Sequence, residues 1–247
     1  MTLADYSLYF GLTLVLSTLF AMGGVGSAIA LVPALSMTGV PFNLARALGL
    51  FVNTASTISA SVTHFRNGVL DFRFAMPLVI SILVATPIGA WSSQYVSHSL
   101  LTTILVMFLI VAAALLLIPN RPTLFQSDAV WPLYAIGTTV GVISGMLGVG
   151  GGSIMMPALI LLGYDAKKAA RAISFVIPFS SAGAFLTYMS FTQIDWPLLG
   201  VVAVAAIIGG YLGATILNRG LSSAQVKKLI ALLLLALAAK MILGLVD

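Results

Sequence analysis

Twice in this chain a glycine cluster interrupts an otherwise continuous apolar stretch, and the two interruptions are copies of each other. The first reads Met22-Gly23-Gly24-Val25-Gly26-Ser27 and runs on to Leu31-Val32-Pro33-Ala34-Leu35. The second reads Leu147-Gly148-Val149-Gly150-Gly151-Gly152-Ser153 and runs on to Met155-Met156-Pro157-Ala158-Leu159. Gly24 and Gly148 are 124 residues apart, as are Pro33 and Pro157. Each glycine costs a helix about 1 kcal/mol relative to alanine, so a cluster of them marks where a helix stops.

The surroundings of these breaks are set by composition. Of the 247 residues 60% are hydrophobic and only 7% charged, with a mean hydropathy of +1.14. A water-soluble globule carries about 25% charged residues, so this chain cannot coat one. It is read as all-α and polytopic in a membrane. All six acidic residues are Asp (Asp5, Asp71, Asp128, Asp165, Asp195, Asp247), each at a terminus or between apolar runs. A mid-membrane carboxylate is the usual ligand of a translocated cation or proton, so their placement argues against a cation transporter, a proton pump or a metal site. The absence of cysteine removes thiol and haem-attachment chemistry, and no cofactor is expected. The start, Met1-Thr2-Leu3-Ala4-Asp5, lacks the basic region of a cleavable signal, so the first apolar run is expected to be retained. The net charge of +5 reads as membrane topology rather than as a nucleic-acid surface.

Apolar runs cover about 6–37 (broken at 23–27), 45–65, 74–96 and 100–118; a polar linker over 119–128 follows; then come 129–163 (broken at 148–153), 172–191, 196–217 and 226–246. The unbroken runs are near the ~20 residues that cross a bilayer as helix. Residues 1–118 and 129–247 are thus two transmembrane repeats. Further anchors hold the register: Asp71 with Asp195, Gly89-Ala90 with Gly213-Ala214, and Arg46-Ala47 with Arg171-Ala172 after one inserted residue. Duplicated halves of several spans each are the pattern of a secondary transporter.

Residues 6–37 would make a helix of ~48 Å, too long for a hydrocarbon core of ~30 Å, while 28–37 supply only ~15 Å. The expectation is a re-entrant hairpin turning near mid-membrane, plus three full spans, in each half. Loop charge agrees. Re-entrant breaks put Arg66, Arg73, Arg121, Lys167, Lys168, Arg171, Arg219, Lys227 and Lys228 on one side and only Arg46 on the other. Breaks that cross fully divide the same residues less unequally. Three spans per half would invert the second repeat relative to the first and turn both termini away from the cytoplasm.

Backbone that leaves the helix inside a membrane must be buried in protein or line a wet cavity. Inverted halves would bring both glycine turns to a central axis, with helix N-termini beginning at Ser27 and Ser153 aimed at the same region, a setting for an anion. The expected substrate-binding residues are Gly24, Gly26, Ser27, Asn53, Gly150, Gly151, Gly152, Ser153, Ser180 and Ser181. The competing explanation for the glycines is tight helix crossing, and for the polar residues interhelical hydrogen bonding. Arg46 and Arg171, where each break hands over to the next span, are expected to recruit the anion at opposite mouths; snorkelling anchors are the alternative.

The pattern Gly-x-Gly-Gly-Gly-x-x-x-x-Pro-x-Leu, followed by Arg-Ala, resembles that of the TauE/SafE (sulfite exporter, TSUP) family of membrane permeases. Gly148 to Leu159 matches throughout; the copy from Gly24 to Leu35 has Ser27 and Ala28 in place of the last two glycines. The resemblance implies a multi-pass permease of the bacterial inner membrane that carries small sulfur-containing anions, such as sulfite or organosulfonates, by alternating access, and no enzyme. A transporter of another small solute, an accessory membrane subunit, and a homodimeric assembly remain open alternatives.

Overall fold

The computed structural model describes residues 3–23, 26–66, 71–117, 130–152, 155, 158–159, 162, 164, 166–217 and 223–246, for some of them the backbone alone. The linker expected over 119–128 lies outside the described residues. The described residues form nine α-helices: α1 (Leu3–Gly23), α2 (Ala28–Met37), α3 (Phe42–Arg66), α4 (Phe72–Ser92), α5 (His98–Leu117), α6 (Trp131–Leu147), α7 (Ala166–Met189), α8 (Trp196–Leu217) and α9 (Ser223–Val246), with a 3₁₀ turn at Ser93–Tyr95. Four stretches, 3–21, 72–95, 98–115 and 196–213, are long and apolar enough to cross a membrane.

Local chemistry sets the ends of these helices. Asp71 caps α4 by accepting from the Phe74 amide at 3.1 Å, and Asp195 caps α8 by accepting from the Leu198 amide at 3.0 Å. These are the same device 124 residues apart, each worth about 1 kcal/mol. At the far end of α6, Gly148 adopts φ +71°, and the amides of Gly148 and Val149 bond back to the Ser144 carbonyl at 2.9 and 3.2 Å. Only glycine takes that left-handed turn without strain. Several hydroxyls inside the spans bond their own helix, as Thr18 does to Leu14, Thr54 to Leu50 and Thr187 to Gly183, which keeps them satisfied where water is absent.

The halves interlock. The most extensive packing is α4 on α6, then α1 on α8, then α3 on α7, each pairing one helix from either half. Both leading crossings depend on glycine. A Cβ on Gly89 would collide with the Val142 carbonyl, and one on Gly145 with the Thr86 carbonyl, so α4 and α6 meet backbone to backbone. A Cβ on Gly141 would lie 2.8 Å from the Ala85 Cβ; in the α1–α8 crossing, one on Gly209 would lie 2.9 Å from the Ser17 Cβ. Gly209 is Ala85 plus 124 and Ser17 is Gly141 minus 124. The same contact is therefore made twice, with the glycine moved to the opposite helix.

The exterior differs from that of a soluble protein. Thr13, Ser17, Ser27, Arg46, Asn53, Thr86, Ser180 and Ser181 are buried, while Val84, Ile88, Met107, Leu186, Ile207, Leu232 and Leu243 are exposed. An apolar exterior around polar interior groups suits hydrocarbon as solvent.

The first glycine cluster does separate two helices, but they are not equal half-length arms. α1 has 21 residues, ~31 Å, and α2 has 10, ~15 Å. The N-terminal arm is thus as long as a bilayer core, because the helix continues unbroken past the apolar run and back to Leu3. The break is nevertheless level with the centre of α3, since Gly26 abuts Asn53, the twelfth of that helix's 25 residues. α3 and α7 begin at Phe42 and Ala166, ahead of the apolar runs at 45 and 172, so Arg171 as well as Arg46 lies within a helix and not in a loop.

Gly145→Ala is expected to destabilise the protein by about 1–3 kcal/mol by forcing α4 from α6. Gly200→Ala, where a Cβ meets nothing within 4 Å, should be neutral or slightly stabilising. Thermal unfolding in detergent checks both.

Candidate functional site

α3 carries an asparagine where a span would ordinarily place an aliphatic residue, and both glycine breaks close around it. Asn53 is 1% exposed, and its Nδ2 donates to Ser181 Oγ of α7 at 2.8 Å. A Cβ on Gly26 would collide with Asn53 Oδ1, and one on Gly150 would lie 2.5 Å from Asn53 Nδ2 and 3.2 Å from Ser181 Oγ. The carboxamide thus lies edge-on between the breaks, its oxygen toward the first and its nitrogen toward the second. Glycine is required for space at Gly26, and for both space and a φ of +72° at Gly150.

Two buried polar atoms here have no hydrogen-bond partner, Asn53 Oδ1 and Ser27 Oγ. Ser27 precedes α2 without capping it through its side chain; its carbonyl accepts from the Ala30 and Leu31 amides at 3.2 and 3.0 Å. Leaving such a group unsatisfied in a protein interior costs about 1–3 kcal/mol, so the pair forms a reserve of unused hydrogen-bonding capacity. One residue before Ser181 along α7, Ser180 Oγ lies 3.3 Å from Thr86 Oγ1 of α4. Thr86 gives its own proton to the Ile82 carbonyl at 2.6 Å, so Ser180 is the donor of that pair.

Of the residues singled out from the sequence, the structure therefore brings together Gly26, Asn53, Gly150 and Ser181, with Ser27 and Ser180 next to them along the chain. At Gly151 and Gly152 an added side chain would meet neither Asn53 nor Ser181. A Cβ on Gly151 would meet Ile82 at 2.9 Å and Val140 at 3.0 Å, and one on Gly152 would meet Ile177 at 2.5 Å. The nearest of these neighbours are hydrocarbon, with Ser144 Oγ 3.5 Å from the Gly151 position, and the smallness of both residues serves packing. Gly24 and Ser153 lie outside the described residues, as does the side chain of Arg171. Neighbouring Thr54, Ser56 and Thr57 spend their hydroxyls on α3 carbonyls.

Arg46 differs from its expected place at an open mouth. It is 2% exposed, and its Nη1 donates to the Met146 carbonyl of α6 at 2.7 Å. Its Nη2 donates to Asn43 Oδ1, and the guanidinium carbon lies 4.6 Å from the centre of the Phe42 ring and 4.9 Å from that of Tyr188. The reason is the inward face of α3: Arg46 and Asn53 are seven residues apart, within ~20° of two whole turns, so both point at the second half. Tyr188 and Thr86 were missed in the sequence. A tyrosine near a span end is indistinguishable from an interfacial anchor until its hydroxyl is seen 3.1 Å from the Gly145 and Met146 carbonyls.

Comparison with known proteins places these features in a wider group. Residues 9–241 match the family model described as Sulfite exporter TauE/SafE. A probable membrane transporter protein of Bacillus subtilis, YunE, is 26% identical, covering 94% of this chain and 95% of that protein. A probable membrane transporter protein of Haemophilus influenzae is also 26% identical, covering 92% of this chain and 91% of its own length. A shorter match, 32% identical over 77 residues and 30% of this chain, is to the Sulfite exporter TauE/SafE family protein 3 of Arabidopsis thaliana, of which it covers 16%.

Gly39→Ala and Gly150→Ala both place a side chain at positive φ, which costs about 1–2 kcal/mol, but only Gly150 has Asn53 in the way. Both variants should melt lower in detergent. Gly150→Ala should melt lower still, with an added loss that largely vanishes in an Asn53→Ala background.

Proposed function

The chain belongs to the sulfite exporter TauE/SafE family, a family of membrane transporters and not of enzymes, and from that premise we propose that it carries small sulfur-containing anions across the cytoplasmic membrane of a bacterium. The observation that carries this reading is the Asn53 carboxamide, buried edge-on between two glycine breaks contributed by the two halves. Glycine there lets a solute approach the backbone. The N-terminus of α2, beginning at Ala28, offers amides and a positive dipole end to negative charge. Asn53 Oδ1 and Ser27 Oγ supply hydrogen-bonding capacity that the protein itself does not use.

The orphaned Oδ1 narrows the choice of anion, because an acceptor repels a bare oxyanion oxygen and asks for a proton. Sulfite takes up a proton near neutral pH, whereas sulfate does not. Hydrogensulfite brings both acceptor oxygens for the amides and a donor for Asn53, which favours it over sulfate.

The packing supports alternating access as the mechanism. The reciprocal crossings α4–α6 and α1–α8 and the central α3–α7 contact relate the halves by exchange, which supports two inverted repeats rocking about the Asn53–Ser181 contact. In that arrangement the breaks at 24–27 and 148–152 are re-entrant and alternate as the walls of the site.

Purified protein in detergent should be stabilised by sulfite more than by sulfate, thiosulfate, sulfoacetate or chloride. A ligand at a hundredfold excess over its Kd adds about 2.7 kcal/mol. Asn53→Ala removes one interhelical hydrogen bond, worth about 0.6 kcal/mol in membranes, so it should fold yet lose the sulfite shift and saturable sulfite flux in proteoliposomes. Stabilisation by cations or neutral solutes alone would overturn the reading, and unaltered flux in the variant would favour an accessory role.

A further inference from the structure

Arg46 is the largest fully buried side chain described, and the anion site at Asn53 does not account for it. Its stem lies over Gly148, where any Cβ would collide with that of Arg46. Its head reaches the Met146 carbonyl, one of the last four of α6, which have no partner within their own helix. The carbonyls of Ser144 and Gly145 receive the Gly148 amide, and that of Ser144 also the Val149 amide. The Met146 carbonyl has instead a donor from α3, Arg46 Nη1 at 2.7 Å, and shares with the Gly145 carbonyl the single proton of Tyr188 Oη, which lies 3.1 Å from each. Tyr188 Oη also lies 3.3 Å from Ser93 Oγ, so the cluster joins α3 and the end of α4 to α6 and α7 across the two halves.

The charge of Arg46 is what a packing role leaves unexplained. Its guanidinium cannot deprotonate, yet its partners among the described residues are a carbonyl, a carboxamide and two aromatic faces, none of them an anion. Its Nε is buried with no acceptor. The negative end of the α6 dipole offsets part of the cost, and the rest stands as attraction toward any anion that arrives. Arg46 and Asn53 lie on one stripe of α3, about 10 Å apart, facing Gly148 and Gly150 respectively. The second break is therefore held to α3 at two points, by a charged hydrogen bond at one and by close fit at the other. The sequence repeats the pair in exchange, with Met22 and Arg171 at the corresponding positions.

We propose that Arg46 is a positioning residue of the transport cycle, a latch whose bond to the Met146 carbonyl holds the second glycine break shut against α3 and which a small oxyanion releases by drawing the guanidinium from its neutral partners. The release step rests on the reading of Asn53 as part of an anion site. The latch itself stands on the geometry of Arg46, Met146 and Tyr188.

The chain has no cysteine, so a single introduced thiol reports opening without background. Ser144→Cys suits the purpose: Ser144 is 1% exposed, lies just ahead of the break and neighbours Gly151. In proteoliposomes, a hydrophilic maleimide should label this cysteine slowly, and sulfite should accelerate it. Adding Arg46→Gln should raise the rate about tenfold and abolish the response to sulfite, since a bond to a charged donor is lost. Arg46→Lys should restore part of the slow labelling, which a role in bulk packing would not predict. A folded Arg46→Gln protein that labels as slowly as its parent overturns the latch. If Arg46→Gln does not fold, Tyr188→Phe removes one donor to Met146 while keeping the ring, and unchanged labelling there overturns it equally. Thermal stabilisation of the parent by sulfite separates the two readings. If stabilisation is absent while Arg46→Gln labels fast, the anion site fails and the latch stands; if it is present without acceleration of labelling, release by the anion is overturned.

Discussion

Everything in this fold depends on what happens to backbone that stops being helix in a place without water. An unpaired amide or carbonyl in hydrocarbon costs several kcal/mol, so a chain that breaks a helix at membrane depth must bring protein to the break. Here α3 does so for both breaks. Gly26 and Gly150 abut opposite edges of one carboxamide, and the carbonyl left over at the end of α6 is met by Arg46 from the same helix face. The central helix is therefore the partner on which both interruptions rely, and its polar residues follow from that duty.

The close approach of the halves has the same origin. Lipid is as apolar as leucine, so helices in a bilayer gain little by hiding apolar surface and associate through contact and hydrogen bonding. Contact is greatest where no side chain intervenes, which is why α4 meets α6 at Gly89, Gly141 and Gly145, and α1 meets α8 at Gly209. That Gly141 faces Ala85 while Ser17 faces Gly209 shows what such a crossing demands: one small partner, on either side. The two halves have satisfied it with opposite choices.

A site built this way is poor in formal charge. Asn53, Ser27, Ser180 and Ser181 are neutral, and the one buried cation described nearby is engaged with a carbonyl and two rings. On the proposed reading, selectivity for an anion would come from dipoles and amides, which bind an ion weakly enough to let it go. A transporter needs release as much as capture, and a fixed carboxylate–guanidinium pair would resist the movement that alternating access requires.

The amino-acid sequence by itself determined the membrane class and the helical content, which rest on composition, and it marked the glycine breaks, which rest on spacing repeated at 124 residues, and Asn53 as a polar residue within an apolar run. The caps at Asp71 and Asp195 belong here too, since a cap acts on its own first turn. What only the tertiary structure decided is which groups face one another across the halves. Gly150 and Gly151 are neighbours of identical type, yet one meets Asn53 and the other Ile82 and Val140, because consecutive residues at a break point in different directions. Arg46 read as an interfacial charge because it stands near the start of an apolar run; that it caps α6 from 100 residues away depends on α3 packing against the second half. Tyr188 and Thr86 gave no local signal for the same reason: their partners belong to other helices, and periodicity along one helix carries no information about the surface it will meet.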